Sequence, residues 1–484
     1  MKKRIIALIA ATALAAGMLS GCGNGKKANT AADDESKPYE IVWYYIGSED
    51  SGHAAVSEKV NEYTKKKINA TVKMIPLSWG NFGSKMQTLM SSGEKHDLRW
   101  ISGNDYQIAA RKNGIMEIDS LFSEYAPKTR ALLGEDFIKG AKINGKLYGI
   151  QANKDKCHYY ALFYRKDIAE KYNFDFSNVK TLRDMYPFYD VIVKNEPEMV
   201  AYGMAGGLQA WVFSGYDDMG GNGLAGFVPS QPGKVVNLMA TEEFKDSCAI
   251  SREMYLRGYI YKDCAIVDNL ADLRKQGKVF SVIESGKPGK VDEVNASSEY
   301  QFDEIKMSDT VSNENDALGS LMAISANCEN PIRVMKFVEL FNTDKYLNNL
   351  VNFGIEGVNY KKLSENRIAP IKNSGYDNVS MQWMFGNIFE NYLMENEDEN
   401  KYQILEEFNK SGKPSEYLGF IPDFSNVSVE QGACKNVVSE YHKMITYGAS
   451  DYKTELPKYI KKLKQAGIDK IVEEVQKQYD DWKK

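Results

Sequence analysis

The chain has 484 residues, 43% hydrophobic and 12% aromatic, with 61 Lys and Arg against 66 Asp and Glu. A formal net charge of −5 argues against a non-specific nucleic-acid binder and against a polybasic membrane surface. The length exceeds one ordinary domain, so two or three hydrophobic cores are expected.

Residues 1–22 read MKKRIIALIAATALAAGMLSGC. Lys2, Lys3 and Arg4 form a positive start, and residues 5–19 form an apolar run too short to span a bilayer comfortably. Leu19-Ser20-Gly21-Cys22 closes the segment and resembles the lipobox of bacterial lipoproteins. That resemblance implies a signal peptide over 1–21, lipid on the Cys22 thiol, and acylation of the new amino terminus. Two or more acyl chains anchor a protein stably without any spanning helix. Cleavage leaves 463 residues and moves the formal charge from −5 to −8, because it removes three cations. No other stretch approaches 18 apolar residues.

Residues 22–38 are small, polar and charged and read as a lipid-anchored flexible tether, with order beginning at Tyr39. Residues 40–46 (EIVWYYI) read as a strand, 51–67 as a helix with Val56, Val60 and Tyr63 on one face, and 71–75 as a second strand. A helix over 81–91, a strand over 97–101 and a helix from Tyr106 follow. Such alternation predicts an α/β domain with a mostly parallel sheet. Asn144-Gly145 predicts a hairpin turn. Residues 159–164 (YYALFY) and 278–283 read as strands, and 165–171, 181–193, 242–255 and 331–341 as helices. The region 401–484 is mostly helical, with Ile471, Val472, Val475 and Tyr479 making a one-face stripe.

Cys157, Cys248, Cys264, Cys328 and Cys434 form an odd set without CxxC spacing, so no disulfide framework is expected; a single Cys248–Cys264 bridge stays open. His53, His96, His158 and His442 lack metal-site spacing. There is no Walker loop, no GxGxxG after a strand and no GxSxG elbow. The acidic run 396–400 (NEDEN) lacks calcium-loop spacing and reads as a solvated helix end. No metal and no cofactor are expected.

Several segments recur in order in one family. They are Val60-Asn61-Glu62-Tyr63 with Lys67-Ile68-Asn69-Ala70-Thr71-Val72, Lys85-Met86-Gln87 with Ser92-Gly93 and Asp97, Tyr125-Ala126-Pro127-Lys128, and 144–149 (NGKLYG). Later come Asn330-Pro331, Met335-Lys336-Phe337, 353–357 (FGIEG), 383–387 (WMFGN) and 478–482 (QYDDW). With these the chain resembles the extracellular solute-binding proteins of bacterial ABC importers, in the carbohydrate-type lipoprotein branch of Gram-positive bacteria. Its last portion resembles a C-terminal domain of unassigned function. The resemblance implies a two-lobe periplasmic-binding-protein-like fold of type II with a multi-crossing hinge. One lobe is expected at 39–150 plus 308–352 and the other at 156–303 plus 358–484, with crossings near 151–155, 302–308 and 353–357. It also implies capture of an oligosaccharide, delivery to ABC permease subunits, a monomer when unanchored, and a place at the extracellular face of the cytoplasmic membrane.

Ligands of open α/β sheets sit beyond the carboxyl ends of the strands. That rule points to Tyr45, Trp79, Asn104, Asp105 and Tyr106, while Tyr44 and Trp100 read as strand core. The other lobe would offer His158, Trp211, Asp217 and Asp218, with Tyr160 beside them; Glu356 and Trp383 complete the set. Aromatic rings suit the apolar faces of sugars, and carboxylates and amides suit their hydroxyls. The plainer reading makes His158 a satisfied buried histidine and the two aspartates turn caps, and Glu356 reads equally as a brace for the hinge backbone. Two alternatives stay open: a peptide-binding or sensor lipoprotein on the same scaffold, and a secreted glycosidase, which needs only two suitably spaced carboxylates.

Overall fold

A computed structural model describes residues 33–204, 210–219, 223–266, 271–296, 298–376, 379–384 and 386–484. Cys22 and the signal segment lie outside the described residues. No helix among the described residues is long and apolar enough to cross a membrane.

In chain order the first lobe begins with β1 (Tyr39–Ile46), α1 (His53–Ile68), β2 (Ala70–Leu77), α2 (Trp79–Ser92), β3 (Leu98–Ile101), α3 (Gly103–Arg111) and β4 (Ile150–Gln151). The second lobe follows with β5 (Tyr159–Arg165), β6 (Val200–Tyr202), α4 (Glu242–Leu256), β7 (Val279–Gly286) and β8 (Phe302–Lys306). The chain then returns through α5 (Glu314–Leu318) to β9 (Leu321–Ile324), α6 (Pro331–Thr343) and α7 (Lys345–Phe353). It closes with α8 (Lys401–Ser411), α9 (Ser428–Thr446), α10 (Tyr452–Gln465) and α11 (Ile468–Trp482).

The first sheet has the order β2-β1-β3-β9-β4. β1 is parallel to both neighbours, and β9, arriving after the return crossing, is antiparallel to β3 and β4. β1 is buried on both faces from Ile41 to Ile46, which explains its unbroken apolar run. Its Trp43 packs edge-on against Phe337 and Phe341 of α6. The second sheet has the order β8-β5-β7-β6, with β5 antiparallel to both of its neighbours. The Asn144-Gly145 turn forms as expected: both residues have positive φ (50° and 76°), the geometry that a tight hairpin demands.

The helical C-terminal region builds a third core from Tyr459, Leu463, Ile471, Val475 and Tyr479 against Phe227 and Phe244 of the second lobe. The strap leading into it also touches the first lobe. Ile421 joins the first core, and Arg111 of α3 donates to the Ile421 and Pro422 carbonyls.

Two expectations need correction. The tether is not free up to residue 38. Asp33 is gripped by Arg333 at 2.7 Å and by Lys336 at 3.0 Å, and Arg333 is wholly buried. Hydrogen bonds from Arg333, Asn330 and Lys336 outweigh desolvation and hold the Asp33 carboxyl down at about 2. Second, the described residues 353–376, 379–384 and 386–394 pack on the first lobe, although the sequence assigns 358 onward to the second. The reason is a set of buried asparagines whose amides need partners. Asn348 donates to the Asn387 carbonyl and to Asn391, and Asn387 donates to the Asn342 carbonyl. Tyr376 adds a bond to the Val351 carbonyl. The third crossing therefore follows Met394, not Phe353. It runs through α8, where Asn409 donates to the Lys154 carbonyl and accepts from the Lys156 amide of the first crossing. The five described cysteines are free, Cys248 and Cys264 included, so the one bridge left open by the sequence is not formed.

Candidate functional site

At the carboxyl end of the first sheet, β2 delivers the chain to Trp79, the first residue of α2. Trp79 is 57% exposed. Its ring lies 5.6 Å from Trp100 at 85° and 6.3 Å from Trp383 at 11°, while Trp100 and Trp383 meet at 86°. Trp100, on β3, is buried and donates from Nε1 to Ser320 Oγ at 3.0 Å. Ser320 in turn donates to the Met384 carbonyl. This relay ties the short helix Val379–Met384, which carries Trp383, to the central strand of the sheet. Three indoles thus form a wall in which buried Trp100 and half-buried Trp383 flank the exposed Trp79. An indole offers up to about 250 Å². Leaving over half of it in water forgoes on the order of 3 kcal/mol at about 25 cal/mol per Å², so the exposure needs a reason.

The crossings between lobes form a polar floor. His158, just before β5, is 8% exposed and lies 2.9 Å through Nδ1 from Asp316 of α5. Glu314, at the start of the same helix, accepts from Gln107 Nε2 of α3 at 2.8 Å. Desolvation, then Asp218 and Asp217, push the Glu314 carboxyl up to about 8, against Arg111 and Gln107. Burial also raises Asp217, opposed by Ser415, which donates to its Oδ2 at 2.9 Å, and by His158. Asp218 accepts from the Gly223 amide at 2.9 Å. Glu314 therefore stands between the first lobe, through Gln107, and the Asp217–Asp218 strand of the second. On that second side Tyr160 meets His158 at 5.0 Å and Phe213 at 6.3 Å. Burial, then Asp316 and Asp217, push the Tyr160 hydroxyl up to about 12. Tyr216 stacks on Trp211 at 3.9 Å and 13°.

These positions sort the expected residues. Trp79 and Trp383 come together, and His158, Asp217 and Asp218 come together. Trp211 is half-buried and reaches the floor through Tyr216, but it also packs on Phe244 and His442 at the third core. Asn104 and Asp105 are exposed in the first turn of α3. Glu356 is exposed in a turn paired with Tyr360. Two residues are core. Tyr45 is fully buried with its hydroxyl 3.0 Å from His53 Nε2. Tyr106 is fully buried, donates to the Ala141 carbonyl at 2.7 Å and accepts from the Tyr148 amide. Both hydroxyls are already engaged inside the lobe. Trp100 is as buried as expected, yet it forms part of the wall.

Sequence reasoning missed Glu314, Asp316, Gln107, Tyr216 and Ser415. Tyr216 had a signal, since it stands beside Asp217 in the loop already singled out. Ser415, Glu314 and Asp316 come from crossings, and only the three-dimensional return of the chain brings them to the floor. Among the described residues no group of three or more His, Cys, Asp or Glu could hold a metal ion.

Comparison with known proteins agrees with this architecture. A carbohydrate ABC transporter substrate-binding protein of Streptococcus pneumoniae serotype 4 is 28% identical over 493 residues, covering 100% of this chain and 99% of that one. Lipoprotein LipO of Bacillus subtilis is 24% identical over 59% of this chain and 57% of its own length. Among solved structures, the N-glycan transport solute-binding protein NgtS of Streptococcus pneumoniae superposes with a TM-score of 0.81 at 26% identity, over 92% of this chain and 99% of that one. Its complex with Man5GlcNAc gives 0.73 at 25% identity, over 92% and 98%. Residues 416–484 match a domain of unknown function. Residues 47–346, more than half of the chain, match the bacterial extracellular solute-binding protein family, and the chain belongs to that family.

Proposed function

We propose that this protein captures an extracellular oligosaccharide reversibly between its lobes and hands it to the permease subunits of an ABC importer. Removal of residues 1–21 and lipid on Cys22 would hold it at the outer face of the cytoplasmic membrane; similarity to a lipoprotein supports that placement. The observation that carries the reading is the indole wall: Trp79 leaves 57% of its surface in water while two other tryptophans brace it. A sugar ring presents an apolar C–H face to such a wall and hydroxyls to a polar floor. A ligand touching both lobes selects the closed state by its differential contacts. The NgtS complexes with Man1GlcNAc and Man5GlcNAc support an oligosaccharide as the ligand class. No cofactor enters this scheme, and the bound glycan leaves unaltered.

The test is thermal unfolding of the soluble 23–484 form against Man5GlcNAc, a panel of other neutral glycans, and oligopeptides, with product analysis of each mixture. A ligand at ~100 times its dissociation constant adds about 2.7 kcal/mol of stability. A shift with a glycan and no product is the expected result. A shift with peptides alone replaces the reading with a peptide receptor, and product formation replaces it with a hydrolase.

A further inference from the structure

Residues 415–423, which lead into the C-terminal helices, send neighbouring side chains into two different cores. Tyr417 and Phe420 enter the third core, on the second lobe. Tyr417 lies flat on Phe227 at 3.6 Å and 3°, and its hydroxyl accepts from the Gly233 amide at 3.0 Å. Phe420 meets Tyr479 of α11 at 5.4 Å. Leu418 and the buried Ile421 pack instead on the core of the first lobe. Arg111 of α3 secures that side, donating to the Ile421 and Pro422 carbonyls at 3.2 and 2.8 Å. Between the two directions lies Gly419, with φ of +92°, where a Cβ would stand 2.9 Å from the Lys139 carbonyl oxygen of the first lobe. Glycine lets backbone meet backbone there. Both ends of the segment are held as well. The Ser415 amide donates to the Ser312 carbonyl at 2.8 Å, and the Ser415 hydroxyl donates to Asp217 at 2.9 Å. Asp423 and Gln478 of α11 exchange two hydrogen bonds of 2.7 Å.

We propose that residues 415–423 are a tie between the lobes, which restricts the lobe angle of the ligand-free protein beyond what the three crossings impose and so presets the cleft. This gives the C-terminal helices, in which one end of the tie is rooted, a role in ligand capture. A large change of lobe angle has to draw Leu418 and Ile421 out of the first core or Tyr417 and Phe420 out of the third, and either exposes apolar surface to water. The tie also reaches the floor directly, because Ser415 at its head holds Asp217. A ligand that binds between lobes already restrained gives up less conformational freedom, so the tie favours binding. That effect on affinity rests on the oligosaccharide reading above; the restraint on the lobes does not.

Pulsed electron-paramagnetic-resonance distances in the soluble 23–484 form test the restraint. Spin-labelled non-natural residues replace the exposed Lys66 of the first lobe and the exposed Lys194 of the second, which leaves the native cysteines in place. Ile421→Ala removes apolar contact with the first lobe, and Arg111→Met removes the two hydrogen bonds. Glu416→Ala, at an exposed position in the same segment, is the control. Without ligand, the distance distribution should be narrow in the parent and the control and broader in Ile421→Ala and Arg111→Met. A distribution as narrow as the parent's in Ile421→Ala overturns the tie; if that variant fails to fold, Arg111→Met decides by the same reading. Calorimetry with Man5GlcNAc then tests the presetting: the released variants should bind about threefold or more weakly, as a smaller competent fraction requires. Equal or tighter binding despite a broadened distribution overturns the presetting. If neither Man5GlcNAc nor any other neutral glycan binds the parent, the receptor reading falls, and the distance distributions alone decide the tie.

Discussion

On the first lobe, the wall of Trp79, Trp100 and Trp383 is apolar, carries no titratable group and is pinned to the sheet through Ser320. The hinge-side floor holds His158, Glu314, Asp217 and Asp218, and its properties depend on protons and on how much water reaches it. The wall is built from a lobe's own core, so it exists before any ligand or closure. The floor is assembled from both lobes and the crossings, so it is complete only when the lobes stand in the right relation. Affinity for a flat apolar face and selectivity for the groups around it can therefore be altered separately.

Within the wall, buried and exposed members should respond differently. Trp100→Ala removes an indole that is 7% exposed and its hydrogen bond to Ser320. Deleting a buried aromatic of this size costs about 3–5 kcal/mol, so the urea midpoint should fall sharply, and glycan binding should fall with it because Trp383 loses its brace. An unchanged midpoint would mean that the wall is not part of the first core. Trp79→Ala should act the other way round. Its stability should stay within about 1 kcal/mol of the parent, as expected for a largely exposed side chain, while calorimetric affinity for a bound glycan drops by ~10–100-fold, or about 1.4–2.8 kcal/mol. Equal affinity in the variant would remove Trp79 from the site and leave its exposure unexplained.

The same contrast governs how much could be read from residues alone. Two members of the wall were legible: strand, loop and helix periodicity put the exposed Trp79 at a sheet's carboxyl end, and the WMFGN segment carried the half-buried Trp383. Tyr45 and Tyr106 were misplaced because an aromatic at a strand end looks the same whether its hydroxyl meets a ligand or, as here, His53 and the Ala141 carbonyl. The floor was only half legible. His158, Asp217 and Asp218 could be named, but Glu314 joins them through a return crossing whose course depends on packing between distant segments. The lobe boundary slipped for a related reason. What holds the described part of 353–394 to the first lobe is a network of buried asparagine amides, and asparagine in a sequence reads as turn or surface.

The floor's own prediction is a pH dependence with a defined sign. Glu314 has an ordinary value of 4.5 and is pushed up to about 8 in the folded chain, first by desolvation and then by Asp218 and Asp217, with Arg111 and the Gln107 amide opposing. Between those values the folded protein keeps a proton that the unfolded chain has released, so stability falls as pH rises. This contribution is fully present below about 4.5 and is lost as pH passes through about 8. Glu314→Gln keeps the shape and cannot ionise, so it should match the parent near pH 5 and exceed its stability near pH 9 by on the order of 1–2 kcal/mol. That is less than the full shift implies, because an ionised Glu314 draws water into the floor. Urea titrations at the two pH values measure the difference directly. Lobe opening that hydrates Glu314 would lower its proton affinity, so glycan affinity in the parent should weaken from pH 6 to pH 9 and weaken less in Glu314→Gln. Parallel stability curves for the two proteins would show that Glu314 is already well hydrated. In that case the floor would be an open surface, as independent of pH as the tryptophan wall, and the contrast between the two faces of the cleft would disappear.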